Sequence, residues 1–293
     1  MTGKSDWTAA LRARARRLDS DPDMPPGMPA ANIDMVDRVL RGIGPDSSIA
    51  RAGSGAHAVA NMASEHAPAF CSASARGAKA YLNAYDLAAV KPVGRTRQRV
   101  DAALPLPAGE TPDNLYFLAV EVNGTGMRFY GDLCLVLRST DSRVRVLNGN
   151  SYDLVRLPMS ARTATDTDLA GEAATYWGEW GKDLAAMGAL KTFAARRGER
   201  RLTTAQVSDA ILEDEDYLEV LRIGSFAAGD LHEVRLSMAS VVAEADITER
   251  MRHGATPSAA ALLWRKRRRD AVAAFDAAGV PIRIVTDSGR DKG

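Results

Sequence analysis

Cysteine is scarce in this sequence, with two among 293 residues. Cys71 and Cys134 lie far apart in small or apolar surroundings, and neither has a cysteine or histidine nearby at metal-ligand spacing. The four histidines are dispersed as well. This pattern argues against a disulfide framework and against a zinc site, so no bound metal is predicted. It also indicates a reducing compartment.

Long apolar runs are missing too. No stretch approaches the roughly 18 apolar residues that a membrane-spanning helix needs. The N-terminus, "MTGKSDWTAALRARARRLDSD", alternates basic and small residues and lacks the apolar segment of a signal peptide. We therefore expect no membrane partner and a cytoplasmic location, or delivery by a route without a cleaved signal.

Net charge is nearly absent, since 38 basic residues face 37 acidic ones. No global field would by itself attract nucleic acid or an anionic membrane. The most basic point is the run "RKRRR" at 265–269. Successive helical residues lie about 100° apart, so five in a row cannot all face one groove. A solvated helix surface is favoured over a nucleic-acid contact.

Familiar catalytic motifs do not occur. The two glycines in "RAGSGAHAVAN" (51–61) lack the Gly-Lys-Ser/Thr of a phosphate loop, and there is no Gly-x-Ser-x-Gly elbow. The acidic run "EDED" (213–216) could ligate a divalent ion, but a solvated turn is the better interpretation. Function must therefore be sought in less obvious positions.

The chain divides into three regions by composition. Residues 1–31 predict a basic helix followed by a Pro-rich linker. Residues 32–110 predict a helical N-terminal region, with Ala-rich helical spacing from His57 to Asp86 and an irregular connection over 91–114. Residues 111–293 predict an α+β domain that carries the catalytic features.

Alternating apolar patterns predict a mostly antiparallel β core in the third region. Strands begin at Leu115, and Asn-Gly pairs at 123–124 and 148–149 predict hairpin turns. A helix is expected over 166–197, and a shorter one follows the capping box from Thr203 to Gln206. Strands are expected at 217–223 and from Leu231, then a last helix at about 257–278 and a short strand in "VPIRIVT".

The strand "YLEVLRI" contains an unexpected carboxylate. Glu219 shares a strand face with Tyr217, Leu221 and Ile223. An unpaired charge there would be costly, so Glu219 must pair with a cation or a hydroxyl, or open onto a cleft. The two interpretations are an edge-strand carboxylate paired with an arginine and a catalytic group.

Two segments combine apolar strands with glycine-containing turns: "RFYGDLCLVLRSTDSRVRVLNGNSYDL" (128–154) and "YLEVLRIGSFAAGDLHEVRL" (217–236). They resemble the core of ADP-ribosyltransferase-like proteins of the bacterial toxin and effector kind, and the resemblance covers about residues 115–240. It implies an ADP-ribosyltransferase type of α+β fold, with NAD as the substrate. It also implies a macromolecular acceptor, protein or nucleic acid, and a possible neutralising partner protein.

The resemblance also implies roles for individual residues. Glu219 would be the catalytic glutamate, Arg128 the arginine that grips the dinucleotide, and Ser151 the serine that supports the site. Tyr152 or Tyr130 would stack on nicotinamide. An ionised carboxylate suits the positive charge that develops on the ribose, and a bidentate guanidinium suits pyrophosphate.

Three departures from the family pattern leave alternatives open. Arg128 lies close to Ser151 for this family, so Arg76 or Arg95 could be the dinucleotide arginine instead. Position 217, two before Glu219, is tyrosine, which favours an acceptor other than arginine. Ser151 is followed by Tyr-Asp, so the Ser-x-Ser element is absent and the site could be degenerate.

Two other functions remain open on the sequence alone. One is a non-catalytic protein or nucleic-acid binding module that uses "RKRRR" and the basic N-terminal helix. The other is a metal-dependent nuclease that uses Asp132, Asp153 and Glu219. The leading hypothesis is an NAD-dependent ADP-ribosyltransferase with a toxin, effector or defence role.

Overall fold

The computed structural model describes residues 6–19, 33–37, 55–122, 126–127, 131–138, 144–151, 173, 175–195, 204–212 and 217–288. They fall into two compact units, and neither is continuous in sequence. The first unit takes its residues from 1–58, 82–124 and 140–224, and the second from 59–81, 125–139 and 225–293. The boundaries predicted at residues 31 and 110 stay predictions.

The described chain contains both helices and strands. The helices are α1 (Trp7–Asp19), α2 (Ala67–Ala75), α3 (Arg95–Ala103), α4 (Trp180–Ala195), α5 (Thr204–Leu212), α6 (Met238–Arg252) and α7 (Ala259–Ala277). The strands are β1 (Ala56–Met62), β2 (Leu115–Val122), β3 (Gly126–Met127), β4 (Leu133–Leu137), β5 (Arg145–Leu147), β6 (Trp177–Glu179), β7 (Glu219–Ile223), β8 (Leu231–Ser237), β9 (Ile282–Val285) and β10 (Asp287–Ser288). The described strands pair mostly antiparallel, so the predicted α+β class is confirmed.

Four antiparallel strands of the first unit lie in the order β6-β5-β7-β2. In the register of β2 with β7, Ala119 lies opposite Glu219 and Phe117 opposite Leu221. Because directly opposed residues share a sheet face, Glu219 lies on the face that carries Phe117, Leu221 and Ile223. The predicted alternation within "YLEVLRI" therefore holds in the sheet.

This face of the first unit is mostly apolar. A buried cluster covers it, formed by Leu104, Leu115, Leu147, Ala173, Leu221 and Ile223. Phe117 and Trp177 pack against the cluster and are only partly buried. Elsewhere in the unit α5 packs on β2, and the amide of Leu218 donates to the carbonyl of Ile211. The face that carries Glu219 is therefore a hydrophobic core with a partly exposed aromatic margin.

The second unit holds strands in the order β1-β4-β8-β9, with β8 and β9 parallel. Its short strands β3 and β10 pair with each other. Phe70 on α2 packs against Phe226 and against Phe275 on α7, at centroid distances of 6.2 and 6.1 Å. These aromatic contacts tie both helices into one core.

Several predicted elements are confirmed and some are wrong. The helices α1, α5 and α7 and the strand β9 lie where the sequence predicted them. The helix expected from His57 is wrong at its start, because residues 56–62 form β1. Val59–Met62 of this strand pair with β4, and all but one residue of β1 are buried. Tertiary pairing here overrides the helical preference of alanine.

The irregular connection predicted over 91–114 is also wrong, because it contains α3. Pro92 and Gly94 precede this helix and Pro105 follows it, so the helix-breaking residues flank α3 instead of interrupting it. The helix predicted over 166–197 is interrupted, since Ala173, Thr175 and Tyr176 are helical, Trp177–Glu179 form β6, and α4 starts at Trp180.

The hairpin predicted at Asn123-Gly124 is wrong, because the predicted strands before and after it, β2 and β4, do not pair with each other. β2 pairs with β7, whereas β4 pairs with β1 and β8. Residues 123–125 themselves lie outside the described part of the chain, as does the capping threonine, Thr203. None of the described helices combines the length and apolar character needed to cross a membrane.

Gly131 provides a test of the packing in the second unit. It has φ +155°, and a Cβ at this position would lie 2.4 Å from the backbone carbonyl carbon of Met62. Because backbone atoms cannot move aside cheaply, Gly131→Ala should lower the free energy of unfolding by about 1–3 kcal/mol. Urea titration would measure this change.

A matched control is Gly229→Ala in the same unit, where an added Cβ meets nothing within 4 Å. This substitution should change stability by no more than about 0.5 kcal/mol. Equal stability losses in the two variants would contradict the close approach at Gly131.

Candidate functional site

Glu219 begins β7, which lies between β5 and β2 rather than at a sheet edge. Its side chain is only 2% exposed. The residue opposite is Ala119, which is too small to fill the space above the sheet at that point. The strand therefore places a carboxylate inside an apolar face, with room beside it for polar partners.

Two neutral donors hold the carboxylate. The backbone amide of Ser151 donates to Oε2 at 2.9 Å, and the hydroxyl of Tyr217 donates to Oε1 at 3.3 Å. Ser151 is completely buried and lies four residues after β5. The carboxylate is thus satisfied by hydroxyl and amide groups.

Arg97 on α3 completes the cluster. Its guanidinium carbon lies 3.7 Å from the centroid of the Phe117 ring, and its Nη1 is 3.5 Å from the Ser151 hydroxyl oxygen. Its Nη2 forms a 2.6 Å ion pair with Asp101, one helical turn away. The arginine side chain stays 16% exposed, whereas that of Asp101 is 1% exposed.

Burial controls the protonation of both carboxyl groups. Desolvation raises the pKa of Glu219 above its ordinary value of 4.5, while Arg97 and the hydrogen bonds from Ser151 act in the opposite direction. Desolvation also raises the pKa of Asp101, against the ion pair with Arg97. A carboxyl with a raised pKa beside a cation is suited to acid-base work or to stabilising a developing positive charge.

The structure brings together two of the residues singled out in the sequence, Glu219 and Ser151. Arg128, Tyr130 and Tyr152 lie outside the described residues. Neither alternative arginine occupies the cluster as described: Arg76 is an exposed residue at the end of α2 in the second unit, and Arg95 is exposed at the start of α3.

The sequence pattern does not predict Arg97 as a site residue, because the Pro, Gly and Arg content of residues 91–114 favours an irregular connection. One feature could have indicated it. Arg97 and Asp101 stand at i and i+4, a spacing that pairs opposite charges on a helix. The adjacent Val100 marks the buried side of the same helix. A short helix over 95–103 would have placed both charged residues toward a core.

The metal-dependent alternative receives no support from the described residues. Asp132 belongs to the second unit, where it accepts from the backbone amide and hydroxyl of Ser64 and pairs with Arg268 at 3.1 Å. Asp153 lies outside the described residues. Within the described ranges, no three His, Cys, Asp or Glu side chains form a group that could hold a metal ion.

Internal contacts occupy most of the basic run at 265–269. Arg265 donates to Thr248, Lys266 pairs with Asp270, and Arg267 pairs with Glu65. Arg268 is buried and pairs with Asp132 and Glu244. The positive charge of the run is thus largely matched by acidic neighbours within the second unit. This reduces its value as a nucleic-acid contact.

Comparison with known protein families, with characterised proteins and with solved structures found no match to this chain. The site must therefore be interpreted from its own geometry.

Glu219→Gln tests the buried carboxyl. Because the folded-state pKa is raised above 4.5, the contribution of Glu219 to stability is complete below that pH. It is lost as the pH rises through the folded-state pKa, since the carboxylate must then ionise inside the core. Glutamine does not ionise, so the stability of the variant relative to wild type should increase with pH over this window. Urea titrations at a series of pH values would measure the difference.

Glu249→Gln is the matched control, because this carboxylate is on α6 with its side chain 56% exposed. This substitution leaves the buried site unchanged, so a pH-dependent stability difference seen only in Glu219→Gln reports on the buried carboxyl. If the stability of Glu219→Gln relative to wild type stays constant or decreases as the pH rises, the pKa of Glu219 is not raised in the folded protein.

Proposed function

We propose that the Glu219 site cleaves NAD at the bond between nicotinamide and ribose and transfers ADP-ribose to a macromolecular acceptor. The observation that carries this proposal is the contact between Glu219 and Ser151. These residues are 68 positions apart, and the backbone amide of one donates to the carboxylate of the other at 2.9 Å. The family resemblance implied these two residues independently of any coordinates.

The chemistry assigns a separate role to each group. Loss of nicotinamide leaves positive charge on the ribose carbon, and the ionised Glu219 stabilises that charge by accepting from a ribose hydroxyl. The nucleophile of the acceptor then forms the new bond to the ribose carbon and loses its proton. The products are nicotinamide, the ADP-ribosylated acceptor and a proton, so atoms and charge balance.

Arg97 is the arginine that best fits the dinucleotide role. Its guanidinium is partly exposed, rests on the Phe117 ring and points Nη1 toward the Ser151 hydroxyl. A planar cation held in this way suits a pyrophosphate oxygen better than a flexible ammonium would. We therefore assign this role to Arg97 rather than to Arg128, Arg76 or Arg95. The acceptor is a protein or a nucleic acid.

The test is nicotinamide release from NAD by the purified chain, followed by labelling of a lysate with tagged NAD. Glu219→Gln should lower kcat/KM for NAD cleavage by about a hundredfold or more, because the amide cannot offset positive charge. Arg97→Lys should mainly raise KM. For the wild type, kcat/KM should rise with pH as Glu219 ionises.

Glu249→Gln again serves as the control and should retain the wild-type rate, since this exposed residue lies on α6 of the second unit. Absence of NAD cleavage by wild type in the presence of lysate acceptors would refute the proposed function. Equal rates for wild type and Glu219→Gln would refute the role of the carboxylate.

A further inference from the structure

Two buried carboxyl groups compete for one guanidinium in the first unit. Asp101 has the short ion pair, with Oδ1 2.6 Å from Nη2 of Arg97. The Glu219 carboxylate instead accepts hydrogen bonds from Ser151 and Tyr217, which are neutral. The close ion pair of Arg97 is therefore with Asp101, whereas Arg97 acts on the equally buried Glu219 through its charge without a direct ion pair.

Asp101 is itself held in place. The hydroxyl of Tyr85 donates to Oδ2 at 3.0 Å, so each carboxylate oxygen has its own partner. Burial, together with proximity to Asp101, raises the pKa of Tyr85 to about 12, which keeps its hydroxyl a donor at neutral pH. The Phe117 ring supports the flat side of Arg97 at 3.7 Å. Tyr85, Asp101 and Phe117 together define where the guanidinium can lie.

This pair differs from an ordinary helical ion pair on a surface. An exposed i,i+4 pair contributes little and leaves both side chains mobile. Here Asp101 is completely buried, so its desolvation is costly, and the close charge contact with Arg97 and the hydrogen bond from Tyr85 offset it. Such a pair is better suited to fixing a position than to adding stability.

We propose that Asp101, oriented by Tyr85, is a positioning residue that holds Arg97 on the Ser151 hydroxyl and away from a direct salt bridge with Glu219. The catalytic consequence rests on the proposed function. A Glu219 carboxylate neutralised by Arg97 could not stabilise positive charge on the ribose as well, and Arg97 could not contact the substrate.

Other charged groups share this face of the sheet and define the background for the test. Glu121 lies on β2, two residues after Ala119, and is completely buried. Arg145 on β5 lies opposite Leu221, with its guanidinium carbon 4.8 Å from the centroid of the Trp177 ring. Neither is altered in the variants below, so their influence on Glu219 is common to all of them.

The first experiment measures the titration of Glu219 by NMR in protein labelled with ¹³C-glutamate, with the signal assigned by its loss in Glu219→Gln. Asp101→Ala and Asp101→Asn both remove the negative charge, but asparagine keeps an oxygen that can accept from Arg97. If Asp101 positions Arg97, the pKa of Glu219 should be lower in Asp101→Ala than in Asp101→Asn. In Asp101→Ala the released guanidinium pairs with Glu219 and favours its ionised form.

The same two substitutions in an Arg97→Gln background separate positioning from direct charge effects. Without the guanidinium, Asp101→Ala and Asp101→Asn should give the same pKa of Glu219. The proposal would be overturned if, with Arg97 present, Glu219 has the same pKa in Asp101→Ala and Asp101→Asn. It would also be overturned if the pKa of Glu219 in Asp101→Ala rises above the wild-type value. This result is independent of whether the protein cleaves NAD.

Tyr85→Phe keeps the test open if Asp101→Ala does not fold. It removes only the hydroxyl that orients Asp101, so the pKa of Glu219 should fall, by less than in Asp101→Ala, and the fall should vanish in the Arg97→Gln background. No change in Tyr85→Phe, when Asp101→Ala is unfolded, would count against the positioning role.

The second experiment asks for the catalytic consequence. In Asp101→Ala, kcat for NAD cleavage should fall about tenfold and the acidic limb of the pH profile should move to lower pH, whereas Asp101→Asn should be closer to wild type. If wild type does not cleave NAD, the proposed function fails while the NMR result still decides the positioning of Arg97. If wild type cleaves NAD but Asp101→Ala and Asp101→Asn have the same kcat and pH profile, the positioning role of Asp101 is refuted and the proposed function is not.

Discussion

The burial of the Glu219 carboxylate in a largely apolar sheet face is the constraint on which the first unit depends. Glu219 lies on a strand with neighbours on both sides, so water cannot solvate it from an open edge. Taking an unpaired ionised carboxylate into such a place costs several kcal/mol. The surrounding residues meet that cost in three ways: a small residue opposite, hydrogen-bond donors from Ser151 and Tyr217, and a guanidinium within electrostatic reach.

The placement of Arg97 follows from this constraint together with the sequence of α3. Glycine and proline before the helix and proline after it allow only a short helix, and its buried side carries Val100 and Asp101. Asp101 draws the guanidinium of Arg97 toward the interior, and the Phe117 ring supports it. The cation therefore raises the local positive potential without neutralising Glu219 directly. The first unit thus keeps a partly exposed guanidinium close to a buried carboxylate.

The second unit uses its charges differently. Arg268 is buried on α7 and links Asp132 and Glu244, and the neighbouring basic residues pair along or across the helices. A run that looks like a nucleic-acid patch in the sequence is therefore mostly a set of internal ion pairs. Positive residues indicate an external partner only when nearby carboxylates leave them unmatched.

Sequence pattern alone determined the α+β class, the helices α1, α5 and α7, and the strand alternation that puts Glu219 on an apolar face. These features depend on local periodicity, which a sequence displays directly. Only the tertiary structure decided that β1 is a strand, that β7 is central, and that Arg97 and Asp101 stand beside Ser151 and Glu219. Those outcomes depend on which distant strands pair and where a short helix packs. Pairing partners far apart in the chain are chosen by the burial of whole faces, which no single segment encodes.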